Sequence, residues 1–322
     1  MTKIYNFDIN AGFQPNPSNI NTIRGKLLAK QYRGNVMTLR KIFGDINDIV
    51  LITSGASESN TTVLNTIRRS YNNPHVIITD DNHPSIKHIL EEYDIDYTIC
   101  ELNTIGNAII EDRTVLICIP YVCPLTGHIN FPLKKNYNVD ILCDATQVIG
   151  KIKVNRKLIN ASFLTFSFHK CGGPVGIGCL ISSKELKPLI PGSQQSGLRG
   201  GTLNCNGLEK SMRALSLSMT NMIEKRERIT KIMKILYKEL KDYVDIISKM
   251  DNNIGNVIYF KMKDDATNLV RELSKNGYDI GQGCACSKVS LERIRISIPM
   301  DFDGNINEFI ELLLELIKKY KL

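Results

Sequence analysis

Between residues 48 and 182 two kinds of apolar spacing alternate. Short, mainly apolar runs occur at 48–53, 76–79, 97–102, 114–120, 139–143, 163–167 and 176–182. Each has strand length and strand composition, with Ile, Val, Leu and Phe dominating. Stretches with helical spacing separate the first of them, running to about 69 and over 83–92. Short apolar strands that alternate with helices predict a mostly parallel α/β sheet covered on both faces. Upstream, 4–7 reads as a short strand and 10–18, with Pro15 and Pro17, as loop. Residues 21–43 read as a helix through Ile23, Leu27, Leu28 and Tyr32. Downstream the pattern changes. Residues 205–247 read as one long amphipathic helix through Met212, Leu215, Met222, Ile232, Leu236 and Leu240. Strands at 257–260 and 294–298 and helices at 265–276 and 306–320 follow. The pattern predicts a large α/β domain over 12–205 and a smaller α+β domain over 206–322, joined by 1–11.

Composition narrows the class. The chain has 322 residues, 43% of them apolar and 23% charged, as in ordinary soluble globular proteins. Its longest apolar runs are too short to span a bilayer. Its first residues lack the apolar region of a signal peptide. The nine cysteines are an odd number, scattered and partly in apolar runs. That usage indicates reduced thiols in an intracellular, cytoplasmic setting. No Cys-x-x-Cys pair occurs, and Cys284-Ala-Cys286 has no second pair with which to form a zinc site. The net charge of +8 is spread along the chain without a dense aromatic-interleaved stripe, which argues against nucleic acid as a partner.

In a parallel sheet ligands gather at the carboxyl ends of the strands, and several reactive residues fall there. The run 163–168 delivers His169 and Lys170 ahead of a glycine-rich turn. A lysine at the end of a buried strand is costly unless paired or neutralised, and a Schiff base to a carbonyl is one way to neutralise it. The strand 48–53 runs through Ser54-Gly55-Ala56-Ser57 into a helix, an arrangement that suits a phosphate. It is equally what a helix capped by Ser57 looks like. Asp144 and Gln147 follow another strand, and His83 opens a helix in an Asn-His-Pro turn that a capping histidine would also explain. Pyridoxal phosphate needs a lysine, a carboxylate for its ring nitrogen, a phosphate cradle and a stacked ring. Lys170, Asp144, the Ala56-Ser57 turn and His83 can supply these.

With these residues assembled, the chain resembles the NifS-like cysteine desulfurases, pyridoxal-phosphate enzymes of the class V aminotransferase group with the type I fold. The resemblance is carried by Thr53-Ser54-Gly55-Ala56-Ser57-Glu58-Ser59-Asn60, by Asp144-Ala145-Thr146-Gln147, and by Ser167-Phe168-His169-Lys170 with Gly173-Pro174. Gly197-Leu198-Arg199-Gly200-Gly201-Thr202 and Gly281-Gln282-Gly283-Cys284-Ala285-Cys286 complete it in the same order. It implies a large domain with a mostly parallel seven-stranded sheet and a smaller α+β domain. It implies that Lys170 bonds the cofactor and shuttles the Cα proton, that Asp144 holds the ring nitrogen and Gln147 the phenolic oxygen, and that His83 stacks on the ring. Ala56, Ser57, Ser167 and His169 would hold the phosphate, with Thr202 added from the second subunit of a homodimer with shared sites. Arg295 would pair with the carboxylate of L-cysteine, and Cys286 would take its sulfur as a persulfide, releasing L-alanine. The sulfur would pass to an acceptor, an iron–sulfur scaffold or a thiolation protein.

The chain departs from the family pattern at Cys123-Pro124-Leu125-Thr126-Gly127, where an Asn-Asn-Glu run is usual. Pro124 has neither a side-chain donor nor an N–H. Cys284 is an extra thiol beside Cys286, the stretch from Cys286 to Arg295 is short, and Phe168 and Gly200 replace a small residue and a serine. Two other activities are compatible with the same fold. One is another pyridoxal-phosphate lyase or aminotransferase, such as a selenocysteine lyase; the other is a weakly catalytic scaffold in sulfur metabolism.

Overall fold

The seven apolar runs pair into one sheet in a computed structural model of the chain, which describes residues 5–6, 26–101, 110–131, 133, 137–283 and 290–320. The chain divides into two compact units. The smaller comprises Met1–Gly12, Val122–Ile129 and Asn221–Leu322, the larger Phe13–Tyr121 and Asn130–Thr220. The first described element, β1 (Tyr5–Asn6), belongs to the smaller unit.

In the larger unit α1 (Lys26–Phe43) leads into β2 (Ile49–Thr53), α2 (Ala56–Ser70), β3 (His75–Thr79), α3 (Pro84–Glu92), β4 (Asp96–Cys100) and β5 (Thr114–Pro120). Then come β6 (Asp140–Asp144), β7 (Phe163–Ser167), β8 (Gly178–Ser182) and α4 (Cys205–Met219). The sheet order is β2-β8-β7-β6-β5-β3-β4. The pairs β4–β3, β3–β5, β5–β6 and β6–β7 are parallel, and β8 runs antiparallel to both neighbours. Central strands are buried on both faces, as continuous apolar runs require, whereas edge strand β4 is largely exposed. A core of Val63, Leu64 and Ile67 from α2, Ile86 and Leu90 from α3, and Val76, Leu116 and Leu142 from the sheet lies on one face. The result for function is that Thr53, Thr79, Pro120, Asp144 and Ser167 end parallel strands at a single edge.

The smaller unit pairs β1 in parallel with β11 (Tyr278–Asp279). Its main sheet runs in the order β12 (Gly281–Gln282), β13 (Arg293–Ser297), β10 (Val257–Lys261), β9 (Asp245–Ile246). Helices α5 (Met222–Leu240), α6 (Thr267–Lys275) and α7 (Ile306–Tyr320) pack on it through Met233, Leu236, Leu269, Phe309 and Leu313. Alternation along β13 sends Ile294 and Ile296 into this core, which turns Arg293, Arg295 and Ser297 to the other face.

The single helix expected over 205–247 is instead α4, a break, α5 and then β9. Thr220 takes an extended conformation and Asn221 a left-handed one, φ 53°. Asparagine tolerates that region better than most residues, and two such residues end a helix whatever the apolar spacing around them. The loop at 10–18, helix positions 21–25 and both Cys284 and Cys286 lie outside the described residues. Among the described residues no helix is long and apolar enough to cross a membrane.

Candidate active site

The phosphate-type turn is built by three strands in register. Thr53 pairs with Gly178, and Gly178 pairs with Ser167, so the end of β2 and the end of β7 flank one glycine. A Cβ on Gly178 would lie 2.5 Å from Gly55 Cα and carbonyl carbon, so only glycine lets the turn close onto the sheet. Gly55 is the N-cap of α2 and has no side chain with which to cap it, so Ser57 is not its cap. The first N–H, that of Ala56, donates to Ser167 Oγ at 2.7 Å. Beyond that bond, a helix start presents oriented N–H groups and the positive end of its dipole. Thr53 Oγ1 to Ser59 Oγ (2.8 Å) and Thr165 Oγ1 to Asn60 Oδ1 (2.7 Å) tie α2 to the strands beneath it.

Lys170 sits on a single 3-10 turn, Phe168–Cys171, that begins where β7 ends and closes at Gly172 with φ 87°. Phe168, the bulky replacement in the motif, is fully buried and meets Phe166 edge-on at 5.2 Å. Its position requires glycine at 173, where a Cβ would come within 2.9 Å of Phe168 Cβ. Phe168 therefore anchors the turn from below, while His169 and Lys170 are only half-buried. Burial, reinforced by the positive charge of Lys170, lowers the His169 pKa from 6.5 to about 4. His169 is a neutral imidazole at pH 7.

Asp144 ends β6, beside Pro120 on β5 and Thr165 on β7. Its Oδ1 accepts from Thr146 N at 2.9 Å, which fixes the carboxylate at the start of the following turn. In that turn Gln147 Oε1 and Thr146 Oγ1 are buried with no hydrogen-bond partner among the described residues. Buried polar atoms are almost always partnered, so two orphans beside a strand-end carboxylate mark a place where a polar ligand satisfies what the fold leaves open.

His83 is the N-cap of α3, and its Nδ1 accepts from Ser85 N at 3.2 Å. The capping role is real, and it has a chemical consequence. With Nδ1 an acceptor, the neutral ring carries its proton on Nε2. The loop that holds His83 rests on a network that the residue pattern did not single out. Asn82 Nδ2 donates to Cys118 O (2.7 Å), and Asp81 accepts from Thr79 Oγ1 (2.6 Å) and Asn130 Nδ2 (2.9 Å). Burial pushes the Asp81 carboxyl up, against the lowering effect of those two donors.

Lys170, His169, Ser167, Ala56, Ser57, Asp144, Gln147 and His83 thus all belong to the larger unit and follow the carboxyl ends of β2, β3, β6 and β7. Thr202 is an exposed residue of the same unit. Arg295 belongs to the smaller unit, with its side chain on the non-core face of β13, and is 4% exposed. There the Cys123–Gly127 segment approaches it, and Arg295 Nη1 donates to Pro124 O at 3.5 Å. Pro124 takes part through its backbone carbonyl, an acceptor, which does not replace the missing side-chain donor. Ser248 Oγ and Asn253 Nδ2 both donate to Thr126 O at 2.8 Å and hold this segment in the smaller unit. Sequence reasoning missed a further pair in the larger unit. Arg199 and Glu58 meet through two bonds, Nε to Oε1 at 2.6 Å and Nη2 to Oε2 at 3.2 Å. Both residues lie inside quoted motifs, but nothing in the spacing joins positions so far apart in sequence.

The donor set suits an aromatic aldehyde that carries a phosphate. There are N–H groups for the phosphate, a fixed carboxylate for a protonated ring nitrogen, an amine for the aldehyde and orphaned polar atoms for a ring substituent. The chain is 28% identical over 278 residues to a cysteine desulfurase IscS of Dictyoglomus turgidum, covering 79% of this chain and 71% of that protein. It is 28% identical over 305 residues to a cysteine desulfurase of Nostoc sp., covering 86% and 75%. Among solved structures it shares the fold of a NifS-like protein (TM-score 0.85, 20% identity, 99% of each chain). It also shares that of the cysteine desulfurase of Thermococcus onnurineus NA1 (TM-score 0.84, 17% identity, 98% of this chain and 95% of that one). The family profile for class-V aminotransferases matches residues 17–302, nearly the whole length over which these elements are laid out, and the chain belongs to that family.

Proposed function

We propose that this chain is a pyridoxal-phosphate-dependent cysteine desulfurase that converts L-cysteine to L-alanine and holds the sulfur on Cys286. The observation that carries the reading is the assembly, along one sheet edge, of Lys170, Asp144, the orphaned Gln147 oxygen and the glycine-led turn braced by Ser167. When bound, the cofactor supplies an aldehyde for amines and a ring that accepts the electron pair left on Cα.

The residues divide the rest of the work. The N–H groups at Ala56 and Ser57, with Ser167 and His169, take the phosphate. His169 is neutral and so donates a hydrogen bond without adding a charge of its own. Asp144, oriented by Thr146 N, keeps the ring nitrogen protonated, and Gln147 binds the phenolic oxygen. His83 lies against the ring with its proton on Nε2. Lys170 Nζ removes the Cα proton of cysteine. The Cβ–S bond then breaks, the sulfur forms an S–S bond with the Cys286 thiolate, and protons return to Cβ and Cα to leave alanine. Arg295 binds the substrate carboxylate, a planar acceptor suited to a guanidinium. The enzyme works as a homodimer in which Thr202 reaches the second subunit's phosphate, and its exposure in the single chain supports that role. The persulfide passes to a sulfur-acceptor protein in the cytoplasm.

The test is incubation of purified protein with L-cysteine, following alanine release and persulfide mass together. Wild type gives both. Lys170→Ala lowers alanine release by about 10²–10⁴-fold, the range for a lost general base. Cys286→Ser loses the persulfide mass. Alanine release that survives Lys170→Ala overturns the mechanism, and full turnover of Cys286→Ser overturns the sulfur step.

A further inference from the structure

The first turn of α2 contains an anion where an anion should be unwelcome. Glu58 lies in that turn, and its Oε2 accepts from Ser54 N at 2.8 Å. A carboxylate suits a helix N-terminus in general. Beside a turn that binds a phosphate, however, it repels the ligand.

Glu58 is answered by Arg199. Their bidentate pair is largely withdrawn from water, with the arginine side chain 20% and the glutamate 12% exposed, so solvent screens it less than a surface pair. Burial pushes the Glu58 carboxyl up, but Arg199 and Ser54 outweigh it and hold it below the usual range, so it is ionised at neutral pH. The arginine is presented from a fixed segment. Gln195 bonds both the N–H and the carbonyl of Ile52 (2.8 and 2.7 Å), and Gly200 N donates to Ile190 O at 2.7 Å. Gly192 and Gly200 pack so closely that a Cβ on Gly192 would lie 2.4 Å from Gly200 Cα.

We propose that Arg199 is a charge shield for the phosphate turn: it cancels the Glu58 carboxylate so that a dianion can bind at the start of α2, which makes the pair a positioning element that sets cofactor affinity. The inference rests on the phosphate-turn reading given above. Its signature is that the two partners act in opposite directions. Removing Arg199 leaves a bare carboxylate against the phosphate, whereas removing the charge of Glu58 leaves a bare guanidinium.

The experiment measures binding of pyridoxal phosphate, and of pyridoxal without the phosphate, to apoprotein, using the absorbance of the lysine–aldehyde adduct and tyrosine fluorescence. Arg199→Gln is expected to weaken pyridoxal phosphate by about tenfold or more, the effect of one uncompensated like charge in the turn that takes the phosphate. Glu58→Gln holds it at least as tightly as wild type. The double variant returns to near wild type, Arg199→Lys retains most of the affinity, and pyridoxal binds all of them alike. A purely structural pair predicts that both single variants lose affinity, for both ligands. Arg199→Gln binding as tightly as wild type, or Glu58→Gln losing as much as Arg199→Gln, overturns the proposal. If Arg199→Gln does not fold, the direction of the Glu58→Gln effect decides. Wild type that fails to bind pyridoxal phosphate overturns the phosphate-turn reading along with it, so the two failures are told apart.

Discussion

Gly178 and His169 show how single residues shape the site. Gly178 lies where two strand ends and the phosphate turn converge, and a methyl group there meets the Gly55 backbone at 2.5 Å. Backbone cannot swing aside as a flexible side chain can, so Gly178→Ala is expected to destabilise by about 1–3 kcal/mol, as overpacking does. It should also displace the turn and weaken pyridoxal phosphate. Urea unfolding and cofactor titration on the same variant check both effects. His169 gives a pH prediction. Burial depresses its folded pKa to about 4 from an ordinary 6.5, so between those values the unfolded chain binds more protons than the folded one. Its contribution to apoprotein stability is therefore full above about pH 6.5 and is lost as pH falls toward about 4. His169→Asn should flatten the acid limb of denaturation midpoint against pH, whereas an unchanged profile refutes the assignment. The sequence placed both residues inside motifs. It could not say that one is barred from carrying a methyl group and the other from being charged, because both facts come from neighbours distant in sequence.

Among elements, β2 shows how the fold completes what a strand leaves open. β2 is an edge strand by sheet order, yet four of its five residues are buried. Gln195 covers the edge with one amide that bonds both backbone groups of Ile52, and Tyr32 OH donates to the same Gln195 oxygen at 3.2 Å. This is the work of a missing neighbouring strand done by a side chain. Gln195, Ser196 and Gly197 all adopt positive φ (49°, 59° and 84°) to bring it there. Gln195→Ala should cost about 1–3 kcal/mol, because Ile52 is 2% exposed and water cannot readily replace the amide. Hydrogen exchange should show faster exchange at Ile52 NH and little change in β6. Element types were legible from apolar spacing: all seven strands of the large sheet lie where the runs are. The break between α4 and α5 was not, because hydrophobic periodicity is blind to the extended Thr220 and the left-handed Asn221 that part the two helices.

For the molecule as a whole, the larger unit is held together by pairings between segments that no local pattern links. Arg156 meets Asp48 through Nε–Oδ2 at 2.6 Å and Nη2–Oδ1 at 2.9 Å, and its Nη1 donates to Ala161 O at 2.7 Å. Both residues are less than 9% exposed. Arg156→Met leaves Asp48 buried without its cation and is expected to destabilise by about 3–5 kcal/mol. Denaturant unfolding of that variant, with Asp48→Asn/Arg156→Met recovering part of the loss, checks it. The chain also leaves the larger unit at Val122–Ile129 and returns, an excursion that a boundary drawn along the sequence does not contain.

The sequence by itself determined the fold class, the order of the strands along the chain, the strand-end placement of Lys170 and Asp144, and the family. Each of these is written locally, in the period of apolar residues or in a contiguous motif. Tertiary structure alone decided which strand neighbours which, that Ser167 braces the turn at Ala56, that Asn82 and Asp81 hold the loop of His83 and that Arg199 answers Glu58. Those facts depend on groups brought within about 3 Å of each other across stretches of chain whose separation in sequence carries no trace of the contact.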